Sequence, residues 1–350
     1  MKCFHIAPKQ LYCNQKKQNE GLVKPMSMEH AGLKRKTTAP PALPSRRRSA
    51  FWLRLRRQWG LQLMVIPGIV WMVVFNYLPM GGILMAFKNF RLSYKSIFQG
   101  AWVGGGNFLE FFKDDYFAVT MINTLGISAL RLVIGFPLPI LFALLLNELR
   151  NMRFKKIVQT VSYLPHFLSW VVLGGIMISW LSKSGVINDA LMALGVLKEP
   201  ISFLGRPSYF WGVALISDTW KELGWSAIIY LAAIASVDQE MYEAATVDGA
   251  SRVKKMWFIT LPSIKGTIMI LFILAVSGAL NSNFDQMLIL KNALNADAST
   301  VLDIHVYEMG MGKGRFGYAT AIGLFKSVIG TILLVSANYF SRRVQGKSLF

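Results

Sequence analysis

Glu243-Ala244-Ala245-Thr246-Val247-Asp248-Gly249, followed by Ile259-Thr260-Leu261-Pro262, is the stretch on which the reading of this chain turns. Its spacing is E-A-A-x3-G-x9-I-x-L-P. The surrounding segment, 236–262, is polar and lies between two long apolar blocks. It reads as two short helices joined by a turn. Ser236 or Asp238 is placed to cap the first helix, taking backbone N–H groups that the opening turn leaves free. From Gln239 to Val247 there is no helix breaker. Gly249 then falls at a C-terminal cap, where a left-handed backbone is cheap only without a Cβ. Ser251 is placed to cap the second helix, which runs toward Leu261 and ends at Pro262. Ala244 and Ala245 are small enough for another surface to approach closely. Glu243 offers a charge, and Met241 and Tyr242 offer apolar bulk. Those are the attributes of a helix that seats in a groove on a partner.

Outward from this loop the chain is apolar. Of its 350 residues 53% are hydrophobic and 16% charged, where a soluble domain carries about 25% charged. The apolar residues gather in six blocks, 61–85, 119–146, 157–181, 209–234, 266–289 and 319–340. Each is long enough to cross about 30 Å of hydrocarbon as a helix. The expected fold is an all-α integral membrane protein. A six-span domain occupies 61–345, and the helix-turn-helix loop 236–262 lies between the fourth and fifth spans.

The net charge of +20 does not point to nucleic acid, because of where it sits. Fourteen of the 38 Lys and Arg lie in residues 1–60, against Glu20 and Glu29, and this tail reads as a disordered, basic cytoplasmic leader. With the N-terminus inside, the inner segments hold 25 basic residues and the outer loops ten. Without the tail the counts nearly match, and density decides: 147–156 packs Arg150, Arg153, Lys155 and Lys156 together. An even span count then puts both termini in the cytoplasm. Cys3 and Cys13 are the only cysteines, and the four histidines are scattered, so neither a disulfide framework nor a metal site is expected.

Several spans carry polar residues at helical spacing. The fourth has Asp218, Trp220, Lys221, Glu222 and Trp225. The fifth has Ser277, Asn281 and Asp285 at strict i, i+4, i+8 spacing, along one side of the helix. The third has Gln159, Ser162, His166 and Ser169, and the sixth Gly323, Ser327 and Thr331. Ionisable groups in hydrocarbon are costly and face a cavity or a partner helix. Such stripes either line a water-filled path or tie helices together by hydrogen bonds. Trp220, Glu222, Trp225, Asn281 and Asp285 are the candidate path residues. A Trp face stacks on the C–H face of a sugar ring while amides and carboxylates bind its hydroxyls. Interfacial anchoring is the other use of those tryptophans.

The loop, the six blocks and the loop's place in the chain resemble the maltose-type carbohydrate permeases of bacterial ABC importers, over roughly 61–345. Asn76-Tyr77-Leu78-Pro79-Met80 with Ala86-Phe87-Lys88, Gln159 to Phe167, and Asn283-Phe284-Asp285-Gln286 are similar to the branch serving polysaccharide-derived oligosaccharides. The loops of that family often begin Ile-Pro where this chain has Val237-Asp238, an exchange tolerated because Asp caps a helix. The resemblance implies a type I importer in the bacterial cytoplasmic membrane. It has two permease subunits, usually a heterodimer, two ATPase subunits that bind the ATP, and an extracellular sugar-binding protein. The chain itself would need no cofactor and would not be an enzyme. Glu243, Ala244, Ala245, Asp248, Gly249, Ile259, Leu261 and Pro262 would be the residues gripping the ATPase.

A proton-coupled secondary transporter, with Asp285 or Glu222 as carrier, is the alternative; it calls for inverted repeats, and no internal repeat is evident. A membrane-embedded enzyme calls for a cluster such as H-E-x-x-H or G-x-S-x-G, and neither occurs. Gly312-Lys313-Gly314-Arg315-Phe316-Gly317 matches G-x-G-x-x-G but is not placed between a strand and a helix, so it carries no nucleotide reading.

Overall fold

The computed structural model describes residues 57–345 except Arg91, Leu92 and Lys95. The basic tail up to residue 56 and Lys347 lie outside the described residues. The chain divides after Gly68 into two units, and all that follows concerns the second except the opening of the first helix. Among the described residues there is no strand, only one isolated antiparallel bridge between Lys88 and Trp102.

Ten helices organise the description: α1 (Trp59–Phe87), α2 (Tyr116–Asn147), α3 (Met152–Phe167), α4 (Trp170–Trp180), α5 (Pro207–Ala235), α6 (Gln239–Val247), α7 (Arg252–Ser263), α8 (Lys265–Ser277), α9 (Phe284–Leu290) and α10 (Phe316–Gln345). α1, α2 and α10 are unbroken and apolar enough to cross a membrane. α5, at 29 residues and roughly 43 Å, has the length but carries charge at its middle. Wide π turns at Val73–Tyr77, Arg131–Gly135 and Met256–Thr260 each precede a proline, Pro79, Pro137 and Pro262. A proline offers no N–H and crowds the carbonyl four residues back, so the ladder widens ahead of it.

Two expectations are corrected. The third block, 157–181, is not one helix: α3 and α4 meet at 102°. Pro165 ends α3 in a 3-10 turn, Leu168 is extended, and Ser169 caps α4 by accepting from Val172 N–H. The fifth block, 266–289, is likewise broken. α8 stops at Ser277, residues 278–283 are irregular, and α9 begins behind Asn283, whose side chain accepts from Gln286 N–H. Gly278, Asn281, Ser282 and Asn283 favour turns and caps over helix interior. Ser277, Asn281 and Asp285 therefore do not share one helical face.

α5 is the spine. Its first half packs with Ile127, Met287, Leu290 and Ile304 around Phe210 and Ala214. Its second half packs Ala227, Tyr230 and Ile234 against Ala143 and Leu144 of α2 and against Ile264. The charged residues lie between these two apolar clusters. Large apolar side chains elsewhere are exposed along whole helices, and Trp59–Met72 buries none. A soluble monomer does not tolerate such a surface; lipid or a partner subunit covers it.

Candidate functional site

The loop 236–262 forms the expected helical hairpin. Asp238, rather than Ser236, caps α6, its carboxylate accepting from Glu240 N–H at 3.0 Å. The Ser236 hydroxyl instead donates to Ala233 O. Gly249 has φ +73°, in the left-handed region. Around it, Ala250 N–H donates to Ala245 O at 2.9 Å and Gly249 N–H to Thr246 O at 3.1 Å, a Schellman closure. Ser251 accepts from Lys254 N–H and caps α7. Glu243, Ala244, Asp248, Gly249 and Pro262 are exposed, while Ala245, Ile259 and Leu261 are half-buried. Exposed Met241 and Val247 add apolar surface to α6. The Tyr242 and Thr260 hydroxyls meet at 2.8 Å and tie α6 to α7, and the hairpin is held from behind where Tyr242, Met256, Ile259 and Leu261 pack on the cluster that joins α2 and α5.

Next to that cluster, α2, α5 and the break after α8 line an open cavity of about 250 Å³. Arg131, Asp218, Glu222 and Asn281 are among its lining residues. Arg131 Nη2 donates to Gln286 Oε1 at 2.8 Å, and its Nε lies 3.2 Å from Asp218 Oδ2 as an ion pair without hydrogen-bond alignment. Asn283 Nδ2 donates to Asp218 Oδ1 at 3.1 Å. Buried Gln286 donates in turn to Ala214 O and to Ser217 Oγ. The irregular backbone is served by other elements: Ser128 donates to Ala279 O, and Ser282 N–H donates to Asp303, which is also paired with Lys326. Non-helical backbone at membrane depth is tolerated where protein groups satisfy it.

Of the five candidate path residues, the structure brings Glu222 and Asn281 together on this cavity. Trp220 is exposed beside Trp180, at 6.5 Å between rings. One face of Trp225 is covered by the His166 ring, stacked at 4.3 Å and 2°. Asp285 is exposed in the first turn of α9 and does not line the cavity. Arg131 was missed as a site residue, although an arginine in the middle of an apolar block is itself a signal.

A second polar cluster lies outside these helices. The Tyr318 hydroxyl donates to Asp114 Oδ2 at 2.6 Å, and buried His305 Nε2 lies 3.8 Å from the same oxygen. Burial pushes the Asp114 carboxyl up, but hydrogen bonds from Tyr318 and Tyr116 N–H and the nearby charges bring it below its ordinary value. Burial holds the His305 imidazole below its ordinary value, against the pull of Asp114. Among the described residues no group of His, Cys, Asp and Glu is placed to hold a metal ion.

Residues 135–346 match the family described as the binding-protein-dependent transport system inner membrane component. Protein LplB of Bacillus subtilis is 41% identical over 89% of this chain and 97% of its own length. The polygalacturonan/rhamnogalacturonan transport system permease protein YteP of the same organism is 40% identical over 87% of this chain and 94% of its own. A chain of a crystallised bacterial ABC transporter for the acidic polysaccharide alginate has a TM-score of 0.78 at 36% identity, covering 85% of this chain and 99% of that one. That transporter was also crystallised with its alginate pentasaccharide-bound periplasmic protein. Nothing among these relatives favours a secondary transporter. With more than half of its length matched and relatives of this identity spanning most of it, the chain belongs to the inner membrane components of binding-protein-dependent transport systems, the permease subunits of ABC importers.

Proposed function

We propose that this permease forms half of the membrane path of an ATP-driven oligosaccharide importer. It crosses the cytoplasmic membrane six times, with α1, α2, the α3–α4 pair, α5, α8 continued by α9, and α10 as the spans. Both termini and the hairpin 236–262 lie in the cytoplasm. A second permease completes the path, two ATPases drive it, and an extracellular sugar-binding protein delivers the load. Glu243, Ala244, Ala245, Asp248 and Gly249 present the hairpin to the ATPase, and Ile259, Leu261 and Pro262 fasten it to the spans. ATP is bound by the ATPase, not by this chain.

The observation that carries this reading is mechanical. The exposed hairpin is braced internally by Tyr242–Thr260, which ties α6 to α7, and one apolar cluster joins it to the helices that line the cavity. A displacement of α6 by a nucleotide-driven partner is thus delivered to α2 and α5, which is what alternating access between two discrete arrangements requires. The cavity suits sugar: Glu222, Asp218 and Asn281 accept from hydroxyls and Arg131 donates. One relative is named for polygalacturonan and rhamnogalacturonan and a solved structure for the acidic polysaccharide alginate, so polysaccharide-derived oligosaccharides are the class proposed.

The test has two parts. The tagged chain purified from its native membrane should bring down an ATPase and a second permease. Cells should deplete particular oligosaccharides, read by mass spectrometry, from mixed digests of plant and algal polysaccharides, and stop doing so when the gene is deleted. Purification of the chain without an ATPase, under conditions that keep the membrane subunits paired, would overturn the reading.

A further inference from the structure

Lys221 stands at the middle of α5 with its side chain 8% exposed. A lysine at that depth is costly unless its charge and donors are satisfied. Its neighbours Asp218 and Glu222 look like the natural counter-ions, yet the geometry gives them little of it. Asp218 is engaged by Arg131 and Asn283. The nearest Glu222 oxygen is 3.8 Å away. The ammonium donates instead to three main-chain carbonyls: His166 O at 2.6 Å, Leu168 O at 2.9 Å and Pro165 O at 3.3 Å. These belong to the bend where α3 gives way to α4; a helix end leaves carbonyls short of intrahelical partners, and Pro165 O also accepts from Leu168 N–H at 3.2 Å. An ammonium has three donors on a tetrahedral centre and matches three converging carbonyls; a planar guanidinium does not. Close approach makes this reach workable: a Cβ on Gly224 would stand 2.3 Å from Ser162 O, so α5 and α3 touch backbone to backbone one turn further on.

The bend so held carries His166, which bonds a residue of the cavity wall. His166 Nδ1 donates to Glu222 Oε2 at 2.8 Å, and its ring lies flat on Trp225. Glu222 lines the cavity. Lys221 and Glu222 are adjacent on α5, so one binds the backbone of His166 and the other its side chain.

We propose that Lys221 is a positioning residue for transport: by closing the carbonyls of the α3–α4 bend it fixes His166 between Glu222 and Trp225, and so sets the shape of one wall of the cavity. It touches no substrate. It acts through His166 and Glu222, and it makes the bend move with α5 as one body when the hairpin pulls.

The proposal rests on the cavity being the sugar path, and its test separates the two. The whole importer, with its partner subunits, is placed in nanodiscs after labelling with 5-fluorotryptophan. The chain has ten tryptophans, and the Trp225 fluorine resonance is assigned by its loss in Trp225→Phe. In Lys221→Met that resonance should move toward its position in His166→Ala. Trp170, whose ring lies 5.9 Å from the ammonium, should move as well, and the other eight resonances of the chain should stay. Uptake per assembled complex, of the oligosaccharides that the wild-type cells deplete from the mixed digest, should fall roughly five-fold. Lys221→Met combined with His166→Ala should be no worse than the more affected single variant, because the two act in one unit. Lys221→Gln, which keeps two donors, should fall between. An unmoved Trp225 resonance overturns the clamp. A moved resonance with unaltered uptake overturns its role in transport. Failure of both variants to assemble assigns Lys221 to folding and overturns positioning. A wild-type importer that takes up nothing from the digest counts against the sugar path, while the fluorine signal still tests the clamp.

Discussion

Asn281 sits in the break between α8 and α9, exposed, on the lining of the cavity. Asn281→Leu keeps the bulk and removes the amide, so uptake should fall several-fold while the amount of assembled complex in the membrane stays the same. Unchanged uptake at normal expression would make Asn281 a turn residue and nothing more. His305 makes a different prediction, in pH. Its buried imidazole has a folded pKa below the ordinary 6.5. As pH falls below about 6.5 the unfolded chain binds a proton there that the folded chain does not, so acid favours unfolding. The stabilisation from the neutral ring is complete above that value and is lost as pH falls toward and through the lower folded one. Asp114, also depressed, adds a loss only in the carboxylate range. The melting temperature of the detergent-solubilised complex should drop between about pH 7.5 and 5.5 in the wild type, and His305→Gln should flatten that drop. Parallel profiles for the two proteins would remove His305 as the cause.

At the scale of an element, the hairpin is the part whose geometry and proposed task are most closely joined. Gly249 closes α6 with a positive φ and has open space around the position of a Cβ. Gly249→Val therefore meets no clash, and its cost is backbone strain alone, about 1 kcal/mol or more. The strain is relieved by changing the angle between α6 and α7. Transport and retention of the ATPase in membranes should both fall. Ala244→Trp puts bulk on the exposed face, and Glu243→Lys reverses the charge where an arginine partner is expected. Each should lower uptake and loosen the ATPase, with no change in the sugar affinity of the binding protein, which acts outside. Full transport by all three variants with the ATPase still bound would remove the hairpin as the coupling element.

For the whole molecule the proposed orientation fixes which loops face out. Lys198 is exposed in a loop and Asp297 in the short helix Ala296–Ser299, both on the proposed outer side, and Arg252 is exposed at the start of α7 on the proposed inner side. With Cys3 and Cys13 replaced by serine, single cysteines at 198 and 297 should react with an impermeant thiol reagent added to intact cells. A cysteine at 252 should react only after the membrane is opened. The opposite pattern would invert the topology and place the hairpin away from any cytoplasmic ATPase.

What the sequence determined by itself is whatever depends on neighbours along the chain. Composition and block length establish a membrane protein. The caps at Asp238, Ser251 and Gly249 follow from contacts spanning two to five residues, which local residue types dictate. The tertiary structure alone decided the breaks. A run of apolar residues such as 157–181 or 266–289 reads as one helix, since hydropathy does not register whether a carbonyl will find another partner. Pro165 and the Gly278–Asn283 region weaken the helix, but whether it breaks depends on groups brought from elsewhere. Lys221 lies 55 residues from His166, and Arg131 lies 155 from Gln286. In hydrocarbon no water takes the place of those partners, so a break is stable only where the folded chain supplies them. The division of roles on α5 was illegible for the same reason. Asp218, Lys221 and Glu222 read as one charged cluster, and only the packing of α2, α3 and α9 against that helix separates a counter-ion for Arg131, a clamp on a bend and a wall of the cavity.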